Sequence, residues 1–133
     1  SSERVNVVID KDWRSYWEAR MDDPLQDVET LKIGVNGNII ELGKKPNTYE
    51  DIQGQYIGLI KIRKDVAKQV KNYYYNLDQS ATYDGQTFDN MYMTSFLQMM
   101  ADNILPLSPV YIEGGWVEVD EPTDLEFGHF LQV

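Results

Sequence analysis

The chain has 133 residues, 42% of them hydrophobic and 12% aromatic, and its 12 Lys+Arg against 22 Asp+Glu give a formal charge of −10. That apolar fraction excludes a disordered acidic chain, which lacks the side chains to offset its ordering entropy, and residues 1–133 read as a single module without repeat, linker or low-complexity tract. No apolar run approaches the roughly 18 residues of a membrane span, Ser1-Ser2 opens no signal-peptide pattern, and the lack of cysteine removes disulfide and thiolate-metal chemistry, so a reducing, cytoplasmic setting is expected.

Val5, Val7, Val8 and Ile9 form a short apolar strand ending at Asp10. Asp12 is placed to cap a helix whose Trp13, Tyr16, Trp17 and Met21 share one face, and Asp23-Pro24 ends it. Leu31, Ile33 and Val35 alternate with polar residues, Asn36-Gly37 supplies the positive φ angles of a tight turn, and Asn38–Leu42 returns as the second arm of a hairpin. Tyr56–Ile62 is apolar on both faces, which predicts a central strand buried on both sides. Val66, Val70, Tyr73 and Leu77 fall on one helical stripe, and Met93, Phe96, Leu97 and Met100 on another after a loop containing Gly85. Val110-Tyr111-Ile112 and Val117–Val119 read as short strands around Gly114-Gly115, and Pro122 suits the first turn of a last helix. Strands alternating with helices define an α/β class with a mixed sheet flanked by helices.

All 12 basic residues lie within residues 1–71, which also hold 12 acids, so the net charge resides after them: from Asn72 onward there are ten acids and no Lys or Arg. Such a surface repels phosphate backbones and anionic lipid, which excludes nucleic acid and membrane as partners of that face; it attracts divalent cations or a basic protein, or simply keeps the chain soluble. His129 is the sole histidine and builds no zinc site. The pairs Gly34/Gly37 and Gly54/Gly58 match no phosphate-cradling loop. Tyr73-Tyr74-Tyr75 either lines an aromatic cage for a quaternary ammonium or packs. In the segment 114–126, Glu118 and Asp120 share one face of a strand that leads into a proline-initiated helix. Two carboxylates there suit magnesium, with manganese as a substitute, or equally an acidic helix N-terminus.

The string Glu118-Val119-Asp120-Glu121-Pro122-Thr123-Asp124-Leu125 resembles the C-terminal metal-binding signature of the sugar-phosphate and alcohol-phosphate nucleotidylyltransferases. Gly37–Pro46 is similar to their hairpin followed by Glu-Lys-Pro, Gly54–Leu59 to the substrate-lining strand that comes next, and Asp10–Trp13, Trp17–Arg20 and Asp27–Leu31 to the cytidylyltransferase branch that activates phosphocholine-like alcohols. The resemblance implies a Rossmann-like nucleotidyltransferase fold and transfer of a nucleotidyl group, cytidylyl in that branch, from a nucleoside triphosphate such as CTP to a phosphorylated alcohol or sugar, with release of pyrophosphate. It implies further that Asp120 holds magnesium with Glu118 beside it, that Lys45 pairs with the acceptor's phosphate and acts with Asp120 in catalysis, and that Gln55 and Tyr56 line the acceptor pocket. Lys44 stands where the family has an acid before the lysine, and Glu121 where it has a Ser or Thr cap. The family's glycine-rich nucleotide loop does not occur in these residues, so the chain is expected to be the acceptor-binding C-terminal half, inactive alone and completed by an N-terminal half or by a second copy. The competing expectation is a non-catalytic acidic interaction module that keeps the fold.

Overall fold

Val5, Val7 and Ile9 are fully buried, and the strand they form, β1 (Val5–Asp10), occupies the centre of the main sheet. The protein is seen here as a computed structural model that describes residues 3–14, 28–115 and Pro122. β1 pairs antiparallel with β4 (Gln55–Ile62) on one side and parallel with β7 (Ser108–Ile112) on the other, giving the mixed sheet order β4-β1-β7. The expected central strand at Tyr56–Ile62 is therefore corrected: among the described residues β4 pairs only with β1, and Leu59 and Ile62 are exposed. The cause is local. Between the pairs Val7↔Ile60 and Ile9↔Tyr56, the three residues Ile57, Gly58 and Leu59 face the single Val8, and Gly58 adopts a φ of +86°. This bulge bends β4 and interrupts its inward-outward alternation, so apolar residues spread over both of its faces without being buried there.

The expected hairpin forms as β2 (Leu31–Ile33) and β3 (Ile39–Leu42), but the expected tight turn is corrected: the first arm stops before Val35, the connection spans residues 34–38, and of Asn36-Gly37 only Gly37 has a positive φ, +85°. The hairpin docks through single bridges, Leu31 to Ile52 and Ile39 to Leu107, and two glutamine side chains complete its backbone pairing. Gln53 accepts from the Ile33 N–H at 2.7 Å, and Gln98 accepts from Leu42 N–H at 3.0 Å while donating to the Ile40 carbonyl at 2.9 Å. Edge groups that would otherwise seek water or another strand are thus occupied.

Helix α1 (Lys64–Tyr75) buries Val66 and Val70, and α2 (Met93–Asn103) buries Leu97 and Met100, as the stripes predict. These residues join Val5, Val7, Ile9, Leu31, Ile39, Leu42, Leu105 and Leu107 in one apolar core. Leu77 falls beyond the end of α1, and Met93 is exposed at the start of α2. Between the helices, β5 (Thr82–Tyr83) and β6 (Gln86–Thr87) make a small hairpin over Asp84-Gly85. A satellite cluster of Trp13, Val28 and Ile52 packs under Tyr49. The predicted helix beyond Trp13, the strand Val117–Val119, the helix after Pro122 and His129 lie outside the described residues. No helix among the described residues is long and apolar enough to cross a membrane.

Candidate functional site

β1 and β7 run parallel and finish together, with Asp10 opposite Ile112; β4 runs the other way, so its first residues, Gln55 and Tyr56, stand at the same end, paired with Asp10 and Ile9. The carboxyl end of parallel strands is where α/β sheets hold ligands, because side chains and loop amides converge there without the strands' own pairing. Asp10 is completely buried at this end. Its Oδ1 accepts the N–H of Asp12 at 2.8 Å and that of Gly114 at 2.9 Å, and Lys11 N–H donates to the Ile112 carbonyl at 2.8 Å. A buried carboxylate satisfied by backbone donors fixes the exits of both strands. Gly114 and Gly115 leave β7 with φ of +65° and +82°, a reversal open to glycine, immediately before Trp116–Asp120 in the sequence.

Gln55 is buried, and its amide is engaged with neighbouring backbone: Nε2 donates to the carbonyls of Glu29 at 2.6 Å and Gly54 at 3.0 Å, while Oε1 accepts from Glu29 N–H at 3.3 Å. The side chain thereby anchors the extended residues Val28–Thr30 to β4. Tyr56 is half-buried against the main core. Burial raises its hydroxyl pKa above the ordinary tyrosine value, and the neighbouring Glu29 carboxylate adds to the rise. Gly54 has a packing role, because a Cβ there would collide with Ile9 Cγ2.

The same extended residues connect to the lysines after β3. Thr30 N–H donates to the Lys44 carbonyl at 2.8 Å, Lys44 N–H donates to Thr30 Oγ1 at 3.2 Å, and Gly43 N–H to the Thr30 carbonyl at 3.1 Å. Glu29-Thr30 is thus a strip with Gln55-Tyr56 on one side and Lys44-Lys45 on the other. The two lysines differ. Lys44 Nζ meets Asp84 Oδ1 at 3.2 Å, whereas exposed Lys45 makes no ion pair among the described residues. Pro46 confines Lys45 to extended backbone. Asp84 in turn accepts the hydroxyl of buried Ser95 on its other oxygen. That hydrogen bond, and then Lys44, hold its carboxyl below the usual carboxylate range.

The structure therefore links Gln55 and Lys44, the chain neighbours of Tyr56 and Lys45, through one strip of backbone. Glu118 and Asp120 lie outside the described residues, among which no group of three or more His, Cys, Asp or Glu is arranged to hold a metal ion. The tyrosine run packs. The Tyr74 ring stacks on Phe88 at a centroid distance of 5.0 Å and meets Phe96 and Tyr75 edge-on, while Tyr73 contacts Phe96. Sequence reasoning missed Asp10, Glu29 and Asp84 as site residues. An acid closing an apolar strand, a Glu between two inward residues and an Asp before Gly are the signals that point to them.

No family model matches the chain. The fold is shared with a solved nucleoside-diphosphate-sugar pyrophosphorylase from Vibrio cholerae RC9, with a TM-score of 0.55 and 12% identity over 98% of this chain and 47% of that one; the α/β architecture is thus of nucleotidyltransferase type. In sequence, the chain is 45% identical over 126 residues to the CTP:phosphoglutamine cytidylyltransferase of Campylobacter jejuni subsp. jejuni serotype O:2, a match that covers 95% of this chain and 49% of that protein. The chain spans about half the length of the curated relative it matches.

Proposed function

We propose that this chain is the acceptor-binding part of a cytidylyltransferase, which transfers the cytidylyl group of CTP to a phosphorylated small molecule and releases pyrophosphate. The observation that carries the reading is the 45% identity maintained over 95% of the chain with an enzyme named for that transfer. In this reading the nucleotide-binding part is supplied by the remaining length that the relative has and this chain does not span. The acceptor's phosphate sits by Lys45, the cation after β3 without an ion-pair partner among the described residues, and its organic part lies along Tyr56 and the strip that Gln55 holds. Phosphoglutamine, named for the relative, is the first acceptor to try. A phosphocholine-like acceptor has less support, since Tyr73 and Tyr74 contact neighbouring rings and build no cage.

Magnesium, or manganese in its place, would be held by Glu118 and Asp120. Its chemistry there would be to neutralise phosphate charge. The chain's own share is positioning: Asp10 fixes the start of the segment that carries those carboxylates, and Lys45 holds the acceptor phosphate, so that attack on the α-phosphorus gains from orientation.

The test is pyrophosphate release by the enzyme containing this chain, with CTP, ATP, GTP and UTP each set against phosphoglutamine, phosphocholine and a hexose 1-phosphate. CTP with one acceptor is expected to turn over, and Lys45→Ala to raise that acceptor's KM by about tenfold, the loss of one solvent-exposed charge-assisted contact of about 1.4 kcal/mol. No release with any pair would overturn the reading in favour of an acidic interaction module.

A further inference from the structure

Two adjacent lysines follow β3, yet only one is left without an acidic partner among the described residues, and the reason lies forty residues further along the chain. Asp84 occupies the left-handed region at a φ of 50°, the sole non-glycine residue with positive φ among those described, in the Asp-Gly turn between β5 and β6. Aspartate and asparagine tolerate this backbone better than other side-chain-bearing residues, so the turn projects a carboxylate at little conformational cost. One oxygen takes the hydroxyl of Ser95 in the first turn of α2, and the other takes Lys44 Nζ. The Lys44 backbone is fixed as well, by Thr30 at both its N–H and its carbonyl, and Gly43 lies against Thr94. An exposed pair of this kind stabilises a fold very little. What it does do is hold one ammonium in a defined place, on a carboxylate that Ser95 has already oriented.

We infer that Asp84 is a positioning residue that sequesters Lys44 and so leaves the acceptor's phosphate to Lys45 alone. The β5–β6 turn then acts as a specificity device: it keeps a second positive charge from the phosphate site and disfavours acceptors with additional anionic groups there. This inference rests on the reading of Lys45 given above.

The test is a second-site rescue in the enzyme containing this chain, with CTP and phosphoglutamine. Lys45→Ala is expected to raise the acceptor KM about tenfold. Asp84→Asn keeps the left-handed turn, since Asn-Gly is at least as favourable there as Asp-Gly, and keeps an oxygen for Ser95 while removing the charge that holds Lys44. Adding it to Lys45→Ala is expected to recover at least threefold of the lost KM, and Lys44→Ala added to that double variant to abolish the recovery. A purely structural role for Asp84 gives no such rescue. If Lys45→Ala raises KM and Asp84→Asn recovers nothing, or the recovery survives Lys44→Ala, the inference about Asp84 is overturned while the role of Lys45 stands. If Lys45→Ala leaves KM unchanged, the reading of Lys45 fails, and the inference with it.

Discussion

Gln55 shows how a polar residue in a buried position is used. A primary amide offers donors and an acceptor on one flat group, and here both sides meet the backbone of Glu29. Gln55→Ala strands the Glu29 N–H and the carbonyls of Glu29 and Gly54, at a cost of about 1–3 kcal/mol in urea unfolding. Gln55→Glu retains an acceptor for Glu29 N–H but sets a carboxylate against two carbonyl oxygens, which raises its folded pKa above the unfolded value of roughly 4.3. The sign follows: below that value the variant is protonated in both states and least destabilised, and its stability falls as pH rises through the raised folded value. Urea midpoints at about pH 4 and pH 7 check this, and midpoints for Gln55→Glu that shift with pH no more than those of the parent protein would refute it. Spacing alone distinguished Gln55 from a surface residue no better than it distinguished Asp10, because both depend on strands far apart in sequence meeting at one end of the sheet. Lys45 was singled out by the resemblance of Lys44-Lys45-Pro46 to the family's Glu-Lys-Pro, but the pairing of Lys44 with Asp84 is a tertiary fact.

Elements were legible where a period or a turn dipeptide marked them. Asn36-Gly37 located the hairpin, and the apolar stripes located α1 and α2, since each helix buries one face in the common core. Strand rank within the sheet was not legible, because Val5–Ile9 and Tyr56–Ile62 are equally apolar and the bulge at Gly58 leaves no period to read. The β5–β6 hairpin, with two residues in each arm, is too short to show alternation. Its connection to the loop after β3 can be probed with two glycines of similar backbone. Gly43 has a φ of +78° and Gly85 of +80°, but a Cβ at Gly43 would lie 2.5 Å from Thr94 Cβ, while at Gly85 it would meet nothing within 4 Å. Gly85→Ala is expected to cost about 1 kcal/mol for the left-handed backbone alone. Gly43→Ala adds about 1–3 kcal/mol of overpacking against α2. Equal thermal shifts for the two variants would show that the loop carrying Lys44 and Lys45 does not rest on Thr94.

At the scale of the molecule, β4 has pairing capacity that the described residues do not use. It runs eight residues, pairs only with β1 among the described residues, and presents Leu59 at 58% exposure and Ile62 at 39%. An open strand edge with apolar side chains recruits another strand, and proteins that keep such edges free usually shorten or charge them. The bulge at Gly58 and the charge of Lys61 partly do so here. The formal charge of −10 opposes self-association, but that repulsion is screened beyond about 10 Å at 0.1 M salt, whereas edge pairing operates at contact. The function proposed above assigns this edge to a strand of the nucleotide-binding part. The 133-residue chain by itself is therefore expected to associate through β4, more strongly at moderate than at low salt. Leu59→Lys, which puts a charge on the exposed side chain without altering the buried pairing with β1, is expected to shift sedimentation equilibrium towards monomer at every concentration. A chain that sediments as a monomer at high concentration in both salts would show that β4 is already covered within the 133 residues, and would count against the proposal that a second part adds its strand there.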